Sequence, residues 1–145
     1  MRPVIESWSG RHWAFYWGPV IVYAGLIFLF SSRSHPHEDL PSFLDLFSDK
    51  VLHATEYAGL GGLCYRAFRY GTDGPLASRA ALWAIVAASV YGMTDEVHQL
   101  FVPLRDSSWQ DWLADTIGAG VGAGAALKWF GYRENREPAL ETAPK

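Results

Sequence analysis

The chain has 145 residues, half of them hydrophobic, 15% aromatic and 19% charged, with a net charge of −3. High apolar content with low charge excludes an intrinsically disordered chain. One cysteine excludes a disulfide scaffold, and the slight negative charge excludes nucleic-acid binding through a basic surface.

Mean hydropathy is +0.01, an average that hides a very uneven distribution. Residues 1–12 form a short N-terminal lead. Between Arg11 and Arg33 lie 21 residues without a charge. The run Trp13–Ser32, about 20 residues rising ~1.5 Å each, reaches across the ~30 Å of a bilayer's hydrocarbon layer, and Pro19 is tolerable in such a helix. The run is too long for the apolar part of a signal peptide, and Ser31-Ser32-Arg33 is a poor cleavage site, so an uncleaved helix is expected. The loop 34–48 follows; its His35 and His37 read as solvated. A second segment, 51–68, is interrupted by His53 and Glu56. A third, 80–101, is uncharged from Ala80 to Thr94 and ends in D-E-V-H-Q-L-F. A fourth, 109–130, carries Asp111 and Asp115 at its start and Lys128 near its end. Residues 131–145 are polar, contain Pro138 and Pro144, and read as a flexible tail.

A soluble four-helix bundle competes with four membrane crossings. If all four segments cross, nine of the twelve Lys and Arg fall on one side, leaving Arg33, Lys50 and Arg105 on the other. The positive-inside rule then puts both termini in the cytoplasm. Trp13, Trp17, Trp83 and Trp129 fall near the cytoplasmic ends, and Trp109 and Trp112 near an outer end, as interfacial belts require. Small residues recur every four positions in three segments: Ala54, Ala58, Gly62; Ala80, Ala84, Ala88, Gly92; and Ala114, Gly118, Gly122, Ala126, with a second pair in Gly120 and Gly124. Such stripes let helix backbones approach closely in lipid. The expected fold is therefore an all-α integral membrane bundle of four transmembrane helices in the plasma membrane.

Ionisable groups at membrane depth are costly and tend to face a bundle interior or a wet cavity. Asp49, His53 and Tyr57 share one helix face, Asp95 shares a face with His98 and Gln99, and Asp111 and Asp115 lie one turn apart. Lys50, Glu96 and Arg105 lie nearby in sequence. With the four-crossing topology all of these fall in the outer half, which predicts one extracytoplasmic polar pocket. Glu56 lies off the His53 face, with Lys50 or His98 as its expected partner. Within the pocket, His53 or His98 beside a carboxylate suits acid or base work, and Arg105 suits a phosphate or carboxylate. Two His with several carboxylates could hold a divalent metal, but no spacing matches a metal-ligand motif, so no metal or cofactor is expected. D-E-V-H lacks the phosphate loop a helicase needs, and Ser107 and Ser108 lack a nucleophile elbow. A hydrogen-bonded clamp that fixes helix register remains the structural alternative to a binding or catalytic pocket.

The series D-K-V-L-H-A-T-E-Y at 49–57, D-E-V-H-Q-L-F-V-P-L-R at 95–105 and D-W-L-A-D-T-I-G at 111–118 resembles the VanZ-like family of small bacterial membrane proteins. The likeness runs over about residues 15–130, so that 13–130 reads as a VanZ-like transmembrane domain. The family pattern falls on Asp49, Lys50, His53, Tyr57, Asp95, Glu96, Gln99, Arg105, Asp111 and Gly118; Asp115 stands where the family usually has Asn. The resemblance implies a multi-pass plasma-membrane protein of four or five helices. The founding member is associated with low-level resistance to teicoplanin. The expected ligand of the pocket is an anionic or amphiphilic envelope molecule, such as a lipid-linked cell-wall precursor or a lipoglycopeptide, beside the membrane lipid itself. The competing expectations are an intramembrane hydrolase or transferase acting on a lipid, and a structural subunit with no small ligand.

Overall fold

The computed structural model describes residues 10–33, 49–103, 105 and 107–141. The N-terminal lead up to residue 9, the loop 34–48 with His35 and His37, and residues 142–145 lie outside the described residues. Five helices are described and no strand: α1 (Gly10–Ser31), α2 (Asp49–Gly71), a short α3 (Gly74–Ser78), α4 (Ala80–Gln99) and α5 (Trp109–Glu141). The charge-free run becomes α1, and among the described helices it alone is long and apolar enough to cross a membrane by length and composition. The α3 turn is an addition to the four expected segments. Gly74, at φ 60°, adopts the left-handed conformation open to glycine, and Pro75 then starts the helix.

The long helices alternate in direction. Antiparallel packing of α1 on α2 is fixed by His12 against the Tyr70 carbonyl (3.2 Å) and Trp17 edge-on to Phe68. Antiparallel packing of α4 on α5 is fixed by Ser89 against Thr116 at 2.8 Å and by Glu96 near the end of α4 accepting from the Ser108 N–H at the start of α5 at 2.7 Å; the Trp112 indole N–H also donates to the Ser89 carbonyl at 3.0 Å. Helix α1 runs parallel to α4, the Tyr91 hydroxyl donating to the Ala24 carbonyl at 2.6 Å and the Gln99 amide to the Ser31 hydroxyl at 3.1 Å, and α2 runs parallel to α5, Lys50 meeting Asp111 and His53 meeting Asp115.

The α2–α5 pair is the closest in the fold. A Cβ placed on Gly118 would strike the Ala54 carbonyl, one on Gly122 the Ala58 carbonyl, and one on Gly61 the backbone of Ala119. Two of the three stripes thus meet each other, backbone on backbone. The third, Ala80, Ala84, Ala88 and Gly92, is buried along α4. Gly120 and Gly124 do not serve as a second packing pair among the described residues, since a Cβ added to either would meet nothing within 4 Å; they sit on another face of α5.

The radial order of the bundle is inverted. Phe15, Ile21, Val22 and Leu29 on α1, Leu82, Val86, Val90 and Val97 on α4, and Ile117, Val121 and Leu127 on α5 are exposed, whereas His53, Asp95, Glu96, Gln99, Asp111 and Asp115 are buried. The aromatic belt needs two corrections. Trp13, Trp83, Trp109 and Trp129 face outward, but Trp17 packs on Phe68 and Trp112 turns inward because its indole N–H finds the Ser89 carbonyl.

Helix α5 also continues past Phe130, where a flexible tail was expected. Glu134 accepts hydrogen bonds from Arg69 (3.2 Å) and from the Tyr70 hydroxyl (3.0 Å), tying the extension to the end of α2. Burial first, and the bond to Glu134 second, push the Tyr70 phenol up to about 12.

The backbone contact predicts a clear pattern in substitutions. Gly118→Ala and Gly122→Ala each cost about 1–3 kcal/mol by overpacking. Gly120→Ala and Gly124→Ala cost nothing, because the added methyl meets open space. Thermal unfolding in detergent, followed by circular dichroism, separates the two pairs.

Candidate functional site

The parallel register of α2 and α5 brings their polar residues together at one end of the bundle. The Lys50 ammonium donates to Asp111 Oδ1 at 3.1 Å, with Lys50 half-exposed and Asp111 buried. One turn further in, His53 Nδ1 lies 3.0 Å from Asp115 Oδ1, both buried. Gly92 of α4 makes room for this pair: a Cβ there would lie 2.9 Å from Asp115 Oδ2 and 3.2 Å from the Tyr57 ring. The Tyr57 hydroxyl is fully buried and has no hydrogen-bond partner among the described residues.

Helix α4 contributes two carboxylates with different tasks. Gln99 Nε2 donates to Asp95 Oδ2 at 3.0 Å and to the Ser31 hydroxyl at 3.1 Å, joining α4 to the end of α1. Glu96 Oε2 accepts from the Ser107 hydroxyl at 3.0 Å and from the Ser108 backbone N–H at 2.7 Å. Ser108 in turn opens α5, its hydroxyl accepting from the Gln110 N–H at 3.2 Å. Glu96 therefore holds the start of the last helix. Its second oxygen, Oε1, together with Asp95 Oδ1, Asp115 Oδ2 and Arg105 Nε, is buried and has no hydrogen-bond partner among the described residues.

Most of the expected site residues converge here. Lys50, His53, Tyr57, Asp95, Glu96, Gln99, Asp111 and Asp115 line the same end, and Arg105 lies within electrostatic reach of Glu56. Asp49 is the first residue of α2; its side chain is outside the described residues. His98 departs from the expectation: it faces α1, with its ring 4.5 Å from that of Phe28 and Nε2 3.0 Å from the Ser32 hydroxyl. Its neighbour Gln99 takes the inward position, one full turn from Asp95. Ser31 was missed from sequence, and Ser107 and Ser108, weighed there only as nucleophiles, serve with it the buried amide and carboxylate. Half-buried Glu56, expected beside Lys50 or His98, is instead electrostatically coupled to His53, Asp115, Asp95 and Arg105, because Lys50 is taken by Asp111 and His98 faces α1.

Beside the cluster lies an open groove of about 260 Å³ lined by Met93, Val97, Leu100, Trp109 and Trp112, with Glu96 and Ser107 at its polar edge. Among the described residues the fold and this end of it define a helical bundle with buried ionisable residues and one helix long and apolar enough to cross a membrane. The sequence model of the VanZ/LLP1 family matches residues 16–130, and the chain belongs to that family. Neither a curated protein nor a solved structure gives a significant match.

The bonds to Glu96 predict a local effect. Glu96→Ala leaves the Ser108 N–H and the Ser107 hydroxyl unsatisfied and costs about 1–3 kcal/mol, whereas Glu96→Gln keeps an acceptor oxygen and costs less. Hydrogen exchange at the start of α5 checks this: the Ser108 amide exchanges faster in Glu96→Ala and near its native rate in Glu96→Gln.

Proposed function

We propose that the protein is a four-span plasma-membrane protein with both termini cytoplasmic, which binds an amphiphilic envelope molecule at its extracytoplasmic end. The alternating helix directions, the apolar exterior and the nine Lys and Arg gathered on one side support the topology. One observation carries the binding reading: Glu96 and Ser107 belong both to the buried polar cluster and to the rim of the apolar groove. A polar headgroup entering the cluster would lay its acyl or isoprenyl tail along Val97, Leu100 and Trp112. Arg105, whose Nε is buried without a hydrogen-bond partner among the described residues, is a cation available to an anionic headgroup. Lipid-linked cell-wall precursors fit this description, and so does a lipoglycopeptide, which is the form the proposed link to teicoplanin takes.

The His53–Asp115 pair favours a second reading, an intramembrane hydrolase or transferase. A carboxylate at 3.0 Å from one ring nitrogen orients imidazole for proton transfer at the other. In that case turnover of a phosphorylated or acylated lipid follows the protonation of His53 and disappears in His53→Ala.

Native mass spectrometry of the protein released from bilayer nanodiscs tests the binding reading. The wild type is expected to carry a bound lipid or lipid-linked adduct. Val97→Trp and Leu100→Trp, which fill the groove, lose at least about tenfold of it, Arg105→Ala loses it where the headgroup is anionic, and added teicoplanin displaces it. An unchanged adduct in both groove variants contradicts the proposal.

A further inference from the structure

The donors at the polar end converge more closely than their separation in sequence suggests. His53 comes from α2, Glu96 from α4 and Asp115 from α5. Each offers one ligand atom, and these three atoms all lie within 4.8 Å of one another. Bonds of ~2.0–2.6 Å to one central ion span such a separation. All three residues are at least nine-tenths buried, with Asp115 at 0% and Glu96 and His53 at 7% exposure.

The cluster is short of positive charge. Among the described residues, Glu56, Asp95, Glu96, Asp111 and Asp115 are met by Lys50, Arg105 and His53, and Lys50 is already paired with Asp111. Glu96 Oε1 and Asp115 Oδ2 are buried without a hydrogen-bond partner among the described residues. A buried carboxylate oxygen without a partner costs several kcal/mol unless a cation meets it. Hydrogen bonding within the cluster accounts for the other oxygen of each carboxylate and leaves these two unused.

We propose that His53, Glu96 and Asp115 form a binding site for one divalent metal ion. One imidazole and two carboxylates make a mixed nitrogen–oxygen donor set, which suits Zn²⁺ or Mn²⁺ better than the all-oxygen preference of Ca²⁺ or Mg²⁺. Three protein ligands leave at least one coordination position open. Glu96 reaches both the ion and the groove, so, resting on the reading above, that open position faces an anionic headgroup. The metal site itself does not depend on that reading: its ligands are the bundle's own side chains. Neutralising the two spare oxygens also ties α2, α4 and α5 together at one point, so the loaded protein is the more stable form.

The test uses the full chain in detergent, stripped with a chelator and titrated with Zn²⁺ or Mn²⁺ alone, with no lipid added. Elemental analysis and calorimetry are expected to give one ion per chain, with a rise in the thermal midpoint on loading. His53→Ala and Asp115→Asn each weaken binding at least about tenfold, while His98→Ala, whose ring faces α1, binds as the wild type does. Bound Mn²⁺ gives a second readout that needs no variant: its paramagnetic resonance in the wild type shows coupling to one imidazole nitrogen. A wild-type protein that takes up no ion and shows no thermal shift overturns the proposal. So do His53→Ala and Asp115→Asn variants that bind as tightly as the wild type, which assigns the uptake to other histidines. Neither result bears on the lipid adduct.

Discussion

The structure depends on one contact, the backbone of α5 lying against the backbone of α2. Gly118 rests on the Ala54 carbonyl and Gly122 on the Ala58 carbonyl, with no side chain between them. In hydrocarbon, apolar side chains gain little by leaving lipid, so helices associate through close packing and interhelical hydrogen bonds. The seam supplies the first and sets the geometry of the second. Once Gly118 is seated, Asp115 one turn earlier meets His53 and Asp111 meets Lys50. The far end then closes with Glu134 on Arg69 and Tyr70. A bulkier seam would separate these pairs together.

The second consequence is an inside-out distribution. Carboxylates, an imidazole and an amide occupy the interior at one end, while valine, leucine and phenylalanine cover the outside. The near-zero mean hydropathy follows from this arrangement. Among the described helices α1 alone is long and apolar enough to cross a membrane by length and composition; α2, α4 and α5 carry the polar cluster on their inner faces and apolar residues on their outer ones. Burying so many ionisable groups is expensive. The fold offsets part of that cost with reciprocal bonds: Gln99 to Asp95 and Ser31, and Glu96 to the start of α5. Among the described residues, Asp95 Oδ1, Glu96 Oε1 and Asp115 Oδ2 are carboxylate oxygens left without a hydrogen-bond partner, and they mark where a ligand or ion has most to gain.

Helix positions, the small-residue stripes and the gathering of polar residues at one end were legible in the sequence, because each rests on spacing within a single helix. Pairings between helices were not. Nothing in the spacing tells whether His53 meets Asp49, Asp95 or Asp115; that follows only from the register of the α2–α5 seam. His98 and Gln99 are adjacent, and helical periodicity alone cannot decide which of them turns inward. Trp112 reads as an interfacial anchor until the Ser89 carbonyl is found beside it. The helical continuation of α5 is equally hidden, since polar residues 131–141 gain their reason to be ordered from Arg69 and Tyr70 on another helix. A donor set drawn from three helices matches no linear motif, which is why the sequence alone could not say which histidine and carboxylates would share a metal.

The central claim is that the apolar faces of α1, α4 and α5 meet lipid while the polar end is enclosed between helices. Cys64 is the chain's single cysteine and is buried, so spin labels can be placed at introduced cysteines. Collisional accessibility in lipid bilayers, comparing oxygen with a water-soluble nickel chelate, tests the claim at Leu29, Val90 and Val121. The account predicts high oxygen and low nickel accessibility at all three positions. High nickel and low oxygen accessibility there would contradict it and make the bundle a water-soluble one.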